Sequence, residues 1–335
     1  MKIGIFGAQQ WDKSFFPSKL KSDKLSITDK PLDEDTVSDF KDIEIASVFV
    51  GSKVSAKVIS KLPKLKFIAT RSTGFDHIDL KAAAKKRVKV ANVPFYGENT
   101  VAEHAFSLLL NLSRNIHKSY MKTLNDDYSW DGLMGFDLKG KTLGVLGAGH
   151  IGMHIVRMAR GFGMKVLAYD LYPNEFLADV LHFQYSDDLD YVLKNSDIVT
   201  LHMPSLPSTF HILNKKRIAL MKRGAIIINT ARGDLIDTNA LYDALKSGKL
   251  GGAGLDVIEG EDMLKEDSDK LKKESRERLG LLHKDHKIFH LPNVVFTPHI
   301  AFFSREALER IMQTTVDNIN NFKAKKEISN LVKLN

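Results

Sequence analysis

Thr142-Leu-Gly-Val-Leu-Gly-Ala-Gly-His-Ile-Gly152 is the most informative stretch of this chain. Its first residues are an apolar run typical of a buried strand, and the residues after Gly152 can continue as a helix. A second apolar run, Lys165-Val-Leu-Ala-Tyr169, leads into Asp170. A strand, a glycine-rich turn, a helix, a second strand and a terminal acid, in this order, predict a dinucleotide-binding βαβ unit.

Each glycine of this motif has a separate physical role. Gly147 permits the tight turn, Gly149 lets the backbone approach a pyrophosphate, and Gly152 lets the helix pack against the strand. The N–H groups and positive dipole end of the helix then face the phosphates. Asp170 can accept hydrogen bonds from both hydroxyls of an adenosine ribose, and its charge repels a 2′-phosphate. The motif therefore predicts NAD rather than NADP.

The length of 335 residues allows two domains, each able to bury its own core. The chain has no cysteine, which excludes disulfides, thiolate metal sites and a cysteine nucleophile. No apolar run approaches the roughly 20 residues that span a bilayer. The N-terminal residues suit a first strand better than a signal peptide. We therefore expect a cytoplasmic protein without a membrane partner.

The formal net charge of +8 raises the possibility of a nucleic-acid partner. The lysines are scattered among acidic residues, however, and the basic runs Lys85-Lys86-Arg87 and Lys215-Lys216-Arg217 stand at expected helix ends. This pattern favours a solvated surface, so we expect no nucleic-acid partner. We also expect no metal, because no close His/Asp pair has ligand spacing and hydride transfer needs none.

Short apolar strands alternate with helix-compatible segments, which predicts parallel sheets covered by helices. The expected strands lie at residues 2–6, 45–50, 65–70, 88–92, 142–147, 165–170, 197–202, 225–230, 254–257 and 294–297. The last six of these suit a six-stranded doubly wound sheet.

Three further segments complete the predicted layout. Thr100-Val-Ala-Glu103 matches a capping box that starts a long helix, whose apolar face runs to Ile116 and which can bridge two domains. A charged insert at residues 261–287, with helix-forming composition around residues 265–278, is expected to be a surface excursion. Ser304 can cap a last helix, after which the C-terminus is expected to return to the first domain.

Arg232 comes directly after the expected strand at residues 225–230. Packing explains an arginine poorly at that position, whereas its planar guanidinium suits a substrate carboxylate. The alternative is a structural ion pair with a nearby acid such as Asp234.

His299 and Asp256 end two further strands, and Glu259 and Glu261 follow Asp256. The carboxyl ends of strands are where open α/β sheets bind their ligands. A histidine, a glutamate and an arginine at one such edge can supply a general acid/base, a carboxylate that holds the imidazole, and an anion clamp.

Other residues have weaker patterns. His202 ends a strand and can line the cofactor cleft or belong to the core, whereas His104 lies opposite the apolar helix face and is assigned no catalytic role. The backbone N–H groups of Thr73-Gly74 can bind a carboxylate. Tyr96 and Phe302-Phe303 can line a small apolar pocket, with core packing as the alternative.

Several blocks in order resemble the D-isomer-specific 2-hydroxyacid dehydrogenase family over nearly the whole chain. They are Ser72-Thr-Gly-Phe-Asp-His-Ile-Asp79, Asn92-Val-Pro-Phe-Tyr96, Val101-Ala-Glu-His104, the Gly147 motif, Asn229-Thr-Ala-Arg232-Gly, Gly254-Leu-Asp-Val257 and Thr297-Pro-His-Ile-Ala-Phe302. Within the family, the likeness is greatest to the D-lactate dehydrogenases.

The resemblance implies two doubly wound parallel-sheet α/β domains with a cleft between them. Residues 1–99 are then a flavodoxin-like substrate domain and residues 100–299 a Rossmann-type NAD domain. Residues 300–335 form a C-terminal helix that returns to the substrate domain.

The resemblance also assigns roles to residues. Arg232 binds the substrate carboxylate, His299 donates the proton, and Glu261, chosen over Glu259 by the family's spacing, is its partner. Thr209 stands where a cofactor-contacting asparagine is common. The cofactor contacts are Gly147, Gly149, His150, Ile151, Gly152, Asp170, Met203, Pro204, Thr209, Thr230, Ala231, Arg232 and Asp256, and the substrate contacts are Thr73, Gly74, Tyr96 and Phe302.

The implied activity is the reversible reduction of pyruvate to D-lactate with NADH. The family, together with the apolar face of the helix that follows Thr100, suggests a homodimer. One alternative is a dehydrogenase for a bulkier D-2-hydroxy acid. Another is an NAD-sensing scaffold that resembles the transcriptional corepressors of the family, since those proteins retain the Arg, Glu and His.

Overall fold

The computed structural model describes residues 1–265 and 274–333 of the chain. The chain divides into two compact units. Unit 1 comprises Met1–Gly97 and Ser304–Asn335, and unit 2 comprises Glu98–Phe303. These divisions lie close to residues 99 and 299, where the sequence places the domain boundaries. No helix among the described residues is both long and apolar enough to cross a bilayer.

Unit 1 contains a parallel sheet with the strand order β2-β1-β3-β4-β5, which is the flavodoxin-like order. The strands are β1 Lys2–Ile5, β2 Lys24–Ile27, β3 Ile45–Val48, β4 Phe67–Thr70 and β5 Lys89–Ala91, with helices α1 Gln10–Lys19, α2 Ala56–Ser60 and α3 Leu80–Lys85 and a 3-10 turn Val37–Phe40. The sequence did not predict β2, because this edge strand buries none of its four residues fully.

The C-terminal helix, Arg305–Lys323, belongs to unit 1. Ser304 caps it as predicted, since its hydroxyl oxygen accepts the N–H of Ala307 at 3.1 Å. The helix packs on the sheet through an aromatic stack of Phe322 on Phe67, with ring centroids 4.5 Å apart. After the helix, Leu331 forms an antiparallel bridge to Ala91 in β5. The C-terminal segment therefore packs within unit 1.

Unit 2 contains a parallel sheet with the order β12-β11-β10-β9-β6-β7-β8. The strands are β6 Thr142–Leu146, β7 Lys165–Tyr169, β8 Gln184–Tyr185, β9 Ile198–Leu201, β10 Ala225–Asn229, β11 Leu250–Leu255 and β12 Val294–Phe296. The order reverses between β6 and β9, and ligands of doubly wound sheets bind at that switch point. The predicted six strands are all present, and the seventh, β8, is too short to give a sequence pattern.

Helices cover both faces of the unit 2 sheet. They are α4 Glu98–Arg114, α5 Ile116–Thr123, α6 His150–Gly161, α7 Glu175–Leu181, α8 Leu189–Asn195, α9 Lys215–Leu220, α10 Thr238–Lys246 and α11 Arg276–Phe289. Central strands are buried on both sides: in β10, Ile227 joins one core, whereas Ile226 and Ile228 join the other. Both domains are therefore parallel-sheet α/β domains, which confirms the predicted fold class.

The helix predicted to begin with a capping box begins earlier than expected. Helix α4 starts at Glu98, so Thr100 lies buried inside its first turn and the predicted box at residues 100–103 is wrong. The helix ends at Arg114, and Asn115 takes a left-handed conformation with φ 51°. Ile116 therefore starts α5 and is 56% exposed, rather than continuing the apolar face.

The apolar face of α4 is buried within unit 2 itself. Ala105, Leu108, Leu109 and Leu112 join the core that covers one side of the sheet. This helix therefore does not present a free apolar surface, which was the residue-based reason for expecting a homodimer.

The charged insert is only partly the surface excursion that we expected. The predicted helix around residues 265–278 falls largely on residues 266–273, which lie outside the described residues. Around that gap, Glu261–Lys265 forms a 3-10 turn, and α11 begins after Ser275, whose hydroxyl accepts the N–H of Arg278 at 3.2 Å. Met263, Asp285 and Ile288 are buried, so the insert contributes to the core of unit 2.

Asp285 is a buried acid without a compensating donor. It is 0% exposed, and neither carboxyl oxygen has a hydrogen-bond partner among the described residues. Burial, together with the negative charge of Glu259, raises the pKa of Asp285 to about 8. The folded chain therefore holds this carboxyl in its neutral form over most of the neutral pH range.

Asp285→Asn should make the protein more stable at high pH. A carboxyl whose pKa rises on folding contributes stability that is complete below its ordinary value of 3.8 and is lost as pH rises towards about 8. An amide of nearly the same size cannot ionise, so the melting temperature of the variant should exceed that of the native protein at pH 8 to 9. The difference should shrink towards pH 5.

Thermal unfolding followed by circular dichroism across this pH range measures the effect. Asp243→Asn is the matched control, because Asp243 is exposed on the neighbouring helix α10 and should show no such gain. A constant difference between Asp285→Asn and the native protein at every pH would contradict the inference.

Candidate active site

The residues predicted to function in unit 2 collect at the carboxyl ends of its strands. Gly147 follows β6, Asp170 follows β7, and Thr230 follows β10. Asp256 follows β11, and His299 comes three residues after the end of β12. Because all these strands are parallel, their carboxyl ends lie along one edge of the sheet.

Two glycines of the motif are required by packing. Gly147 has φ 93°, and a Cβ there would lie 2.7 Å from the carbonyl carbon of His202. A Cβ on Gly152 would lie 2.2 Å from the carbonyl oxygen of Gly147. Both distances are too short for real atoms, so the turn and the close approach of α6 need glycine at both positions.

Gly149 differs from the other two glycines. It directly precedes α6, and a Cβ added to it would meet no atom of the protein within 4 Å. Packing therefore does not require a glycine here. The open space lies at the N-terminus of a 12-residue helix, where backbone N–H groups and the helix dipole favour a phosphate.

Asp170 is held beside the same turn. Its Oδ2 accepts the N–H of Ala148 at 2.7 Å, and its Oδ1 accepts the N–H of Tyr172 at 2.9 Å. Each oxygen retains a lone pair for a ribose hydroxyl. A cavity of about 800 Å³, lined in part by Tyr169, Asp170 and Tyr185, adjoins this carboxylate. The residues present thus fit a dinucleotide, with Asp170 at its ribose.

His202 is a neutral histidine. Its Nε2 lies 2.8 Å from the hydroxyl of Thr200, and burial lowers its pKa to about 3. Its Nδ1 is buried without a partner among the described residues, as is the hydroxyl of Thr230. Two buried polar atoms at this strand edge are available to a ligand, and the cofactor contact of His202 stays a prediction.

The loop after β9 holds itself together through Thr209. Its hydroxyl donates to the carbonyl of Pro204 at 2.7 Å and accepts the N–H of Leu206 at 2.8 Å. This hydroxyl therefore has a structural use in place of the amide that the family commonly has there. The cofactor contacts assigned to His150, Ile151, Met203, Pro204, Thr209 and Ala231 stay predictions.

Arg232 is an arginine without a carboxylate partner. Its Nη1 donates to the carbonyl of Ala231 at 2.7 Å, and no acid in the described part of the chain forms an ion pair with it. Asp234, the alternative partner, instead accepts the hydroxyl of Ser205 at 2.5 Å. The guanidinium therefore keeps most of its donors for a ligand, as an anion clamp requires.

His299 and Glu261 form a hydrogen-bonded pair. The Nδ1 of His299 lies 2.7 Å from Oε1 of Glu261, and both side chains are about one-third exposed. Glu259 is engaged elsewhere, because its carboxylate binds Nε2 of His211 at 2.8 Å and the hydroxyl of Thr238 at 3.1 Å. Of the two candidate acids, the structure thus places Glu261 next to the histidine.

Asp256 is 0% exposed and lies beneath the loop that carries His299. Its carboxylate accepts the hydroxyl of Thr297 at 2.5 Å and the N–H groups of Ile300 and Ala301 at 2.9 and 2.8 Å. Burial by itself would raise the pKa of Asp256, but these bonds and one from His104 lower it below its ordinary value. The group is therefore a carboxylate, and its charge is satisfied within unit 2.

His104, which the sequence assigns no catalytic role, belongs to this cluster. Its Nε2 lies 2.9 Å from the Thr297 hydroxyl and 3.4 Å from Oδ1 of Asp256. The sequence also assigns no role to Thr297. The block Val101-Ala-Glu-His104, part of the family resemblance, draws attention to His104, but a local pattern cannot show a partner that lies 193 residues away.

The predicted substrate contacts in unit 1 lie on turns after its strands. The hydroxyl of Thr73 donates to the carbonyl of Val93 at 2.8 Å, and Ser72 donates to the carbonyl of Gly74 at 2.6 Å. Among the described residues, the backbone N–H groups of Thr73 and Gly74 have no acceptor. The carbonyl of Tyr96 accepts Nε of Arg310. Substrate binding by Thr73, Gly74 and Tyr96 stays a prediction.

Phe302 lies in unit 2, edge-on to Phe303 with ring centroids 5.9 Å apart. Phe303 is exposed and Phe302 is half-buried, so this pair is not part of a closed core. Its contact with a substrate likewise stays a prediction.

Comparisons with known proteins agree with this geometry. Residues 106–301 match the family model for the D-isomer specific 2-hydroxyacid dehydrogenase, NAD binding domain. The D-lactate dehydrogenase of Escherichia coli (strain K12) is 38% identical over 328 residues, which cover 96% of each chain. Unit 2 therefore contains an NAD-binding domain.

Two solved structures are similar to the whole chain. The pyruvate reductase of Chlamydomonas reinhardtii has a TM-score of 0.88 and 37% identity, and covers 98% of both chains. The D-lactate dehydrogenase of Aquifex aeolicus, solved with NAD and lactic acid, has a TM-score of 0.87 and 36% identity, and also covers 98% of both chains.

Gly149→Ala should separate cofactor binding from folding. Because the space over Gly149 is open, an added methyl group should leave the melting temperature within a few degrees of the native value. The same methyl group should obstruct close approach of a pyrophosphate and weaken NADH binding by about tenfold or more, which corresponds to roughly 1.4 kcal/mol. Fluorescence titration with NADH measures this change.

Gly161→Ala is the control for this experiment. Gly161 also faces open space but lies at the far end of α6. Its replacement should leave NADH binding unchanged and stabilise the helix slightly. Equal NADH affinity in the two variants would show that the pyrophosphate does not lie over Gly149.

Proposed function

Because the chain belongs to the D-isomer-specific 2-hydroxyacid dehydrogenase family, we propose that it is an NAD-dependent D-lactate dehydrogenase that reduces pyruvate reversibly. The observation that carries this proposal is the His299–Glu261 pair, at 2.7 Å, on the sheet edge that also carries the glycine motif and Arg232. Arg232 has no ion-pair partner among the described residues. A proton donor, its orienting acid and an anion clamp beside a cofactor site suit the reduction of a 2-keto acid.

The first task of the site is to hold the substrate. Arg232 can bind the carboxylate of a 2-keto acid through two parallel N–H···O bonds, which fix both position and orientation. This places the keto carbon at a defined distance from the cofactor, which lowers the entropy cost of the reaction. The nicotinamide ring, when bound, supplies the hydride that the keto carbon takes up.

The second task is to deliver a proton. Glu261 holds Nδ1 of His299, so Nε2 is the nitrogen left to face a keto oxygen. The same bond fixes the orientation of the imidazole ring. As the keto carbon is reduced, His299 gives its Nε2 proton to the oxygen, and pyruvate, NADH and a proton become D-lactate and NAD⁺.

The choice of pyruvate rests on the relatives. The E. coli relative is a D-lactate dehydrogenase, and the Chlamydomonas structure is a pyruvate reductase. A bulkier 2-keto acid remains the alternative within the same reaction class. The site residues do not distinguish the corepressor-like alternative, because those proteins retain the same Arg, Glu and His. Turnover of a 2-keto acid does distinguish it.

An NADH oxidation assay over a panel of 2-keto acids tests the proposed function. Pyruvate should give the highest kcat/KM, ahead of 2-ketoisocaproate and phenylpyruvate, and chiral analysis should identify D-lactate. His299→Asn should be at least 100-fold slower, because general acid catalysis contributes that much or more. Binding of NADH without turnover of any 2-keto acid would instead favour a sensing role.

Glu261→Gln should lower kcat by about tenfold, because a neutral amide holds Nδ1 of His299 less strongly than a carboxylate does and orients the imidazole less well. Steady-state rates with pyruvate and NADH measure this change. Glu259→Gln is the matched control, because Glu259 binds His211 and Thr238 rather than His299. Equal kcat in the native enzyme and Glu261→Gln would contradict the assigned role.

Two further parts of the proposal concern the state of the protein. We propose that the protein is a homodimer. The apolar face of α4 is buried and does not support this proposal, but exposed apolar residues after α4 do. They are Tyr120, Leu124, Tyr128, Trp130 and Met134. Sedimentation analysis would measure the mass.

A cytoplasmic location is proposed from the lack of cysteine, and fractionation of cells would test it.

A further inference from the structure

Helix α4 is linked to the loop that carries His299 by a chain of side-chain hydrogen bonds. The chain runs from His104 on α4 through Thr297 to Asp256. All three residues lie in unit 2. Asp256 directly follows β11, and Thr297 directly follows β12. The distances are 2.9 Å for the first link and 2.5 Å for the second.

The direction of these bonds follows from the protonation of Asp256. Its hydrogen bonds keep the pKa of Asp256 low, so the carboxylate can only accept. The single hydroxyl proton of Thr297 must therefore point at Asp256, which leaves the Thr297 oxygen as an acceptor for His104. Nε2 of His104 consequently carries a hydrogen and donates it to Thr297.

The loop above this chain holds His299 in an uncommon conformation. His299 has φ 57°, in the left-handed region that residues with a Cβ rarely adopt. Such a conformation persists when the surrounding bonds determine it. Here the N–H of His299 donates to the carbonyl of Asp256 at 2.9 Å, and the next two N–H groups donate to its carboxylate.

We propose that His104 is a positioning residue for the reaction: it acts through Thr297 and Asp256 to keep the His299 loop in its left-handed form. This inference rests on the proposed function, in which His299 is the proton donor. His104 touches neither His299 nor Glu261; it fixes the hydroxyl of Thr297 so that Asp256 receives all its donors. Loss of that bond lets the hydroxyl rotate and weakens the bonds that define the loop.

Paired substitutions at two positions test this chain. His104→Leu and Thr297→Val each remove one link while keeping a similar volume, whereas His104→Gln and Thr297→Ser each retain a donor or a hydroxyl at the same place. The two disrupting variants should lower kcat by about 10- to 100-fold, as expected when a catalytic group is displaced by about 1 Å. The two conservative variants should stay within about threefold of the native kcat.

A structural role alone would give a different result. The dissociation constant of NADH, measured by fluorescence, should change by less than about threefold in all four variants, since the glycine motif is untouched. A lower melting temperature with unchanged kcat in His104→Leu and Thr297→Val would overturn the proposal. If His104→Leu does not fold, Thr297→Val tests the same chain, because valine matches threonine in shape.

Hydrogen exchange provides a readout that does not depend on catalysis. The amides of Ile300 and Ala301 donate to Asp256, so their exchange should accelerate about tenfold or more in the disrupting variants and not in the conservative ones. Mass spectrometry of the peptide that spans residues 297–303 measures this rate. Unchanged exchange in Thr297→Val would overturn the proposal.

The same measurements separate this inference from the proposed function. Native protein that turns over no 2-keto acid, while the exchange rates change as expected, would refute the function but leave the link between His104 and the loop intact. His283→Gln is the control, because His283 is exposed on α11 and, among the described residues, forms no hydrogen bond with His104, Thr297 or Asp256. It should match the native protein in kcat and in exchange.

Discussion

The arrangement of unit 2 around its site depends on one buried charge. Asp256 is 0% exposed at the end of β11, and a carboxylate in that position costs several kcal/mol unless donors surround it. Its donors come from Thr297, Ile300 and Ala301 on one loop, and His104 on α4 donates in turn to Thr297. Satisfying this charge therefore defines the path of the loop and, with it, the place of His299.

Periodicity and turn chemistry were enough to predict most of the fold. The glycine motif, the alternation of strands and helices and the cap at Ser304 are local features that the structure confirms. The elements that the sequence did not predict correctly also have local causes. The strands β2 and β8 lie at sheet edges, one half-exposed and the other two residues long, so neither shows a buried apolar run. The sequence at Thr100 satisfies a capping box, but the helix had already begun at Glu98.

The sequence indicates which residue types stand after the strands of the site. It does not indicate which of them form hydrogen bonds with each other. The sequence could name Arg232 and His299 because polar residues after buried strands are poorly explained by packing. It named Glu261 rather than Glu259 only through the family resemblance. The sequence could not show that Glu259 forms a hydrogen bond with His211, or that His104 forms one with Thr297. These partners are 48 and 193 residues apart. Such pairings arise only once parallel strands bring distant segments to one edge.

The left-handed backbone of His299 has a consequence for how this protein can change. A residue held in that conformation stores a standing conformational penalty of about 1–2 kcal/mol, which the folding energy of unit 2 must offset. Glycine or asparagine at the same position would relieve the penalty and remove the imidazole. At this single residue, a relaxed backbone and the proposed proton donor therefore favour different side chains.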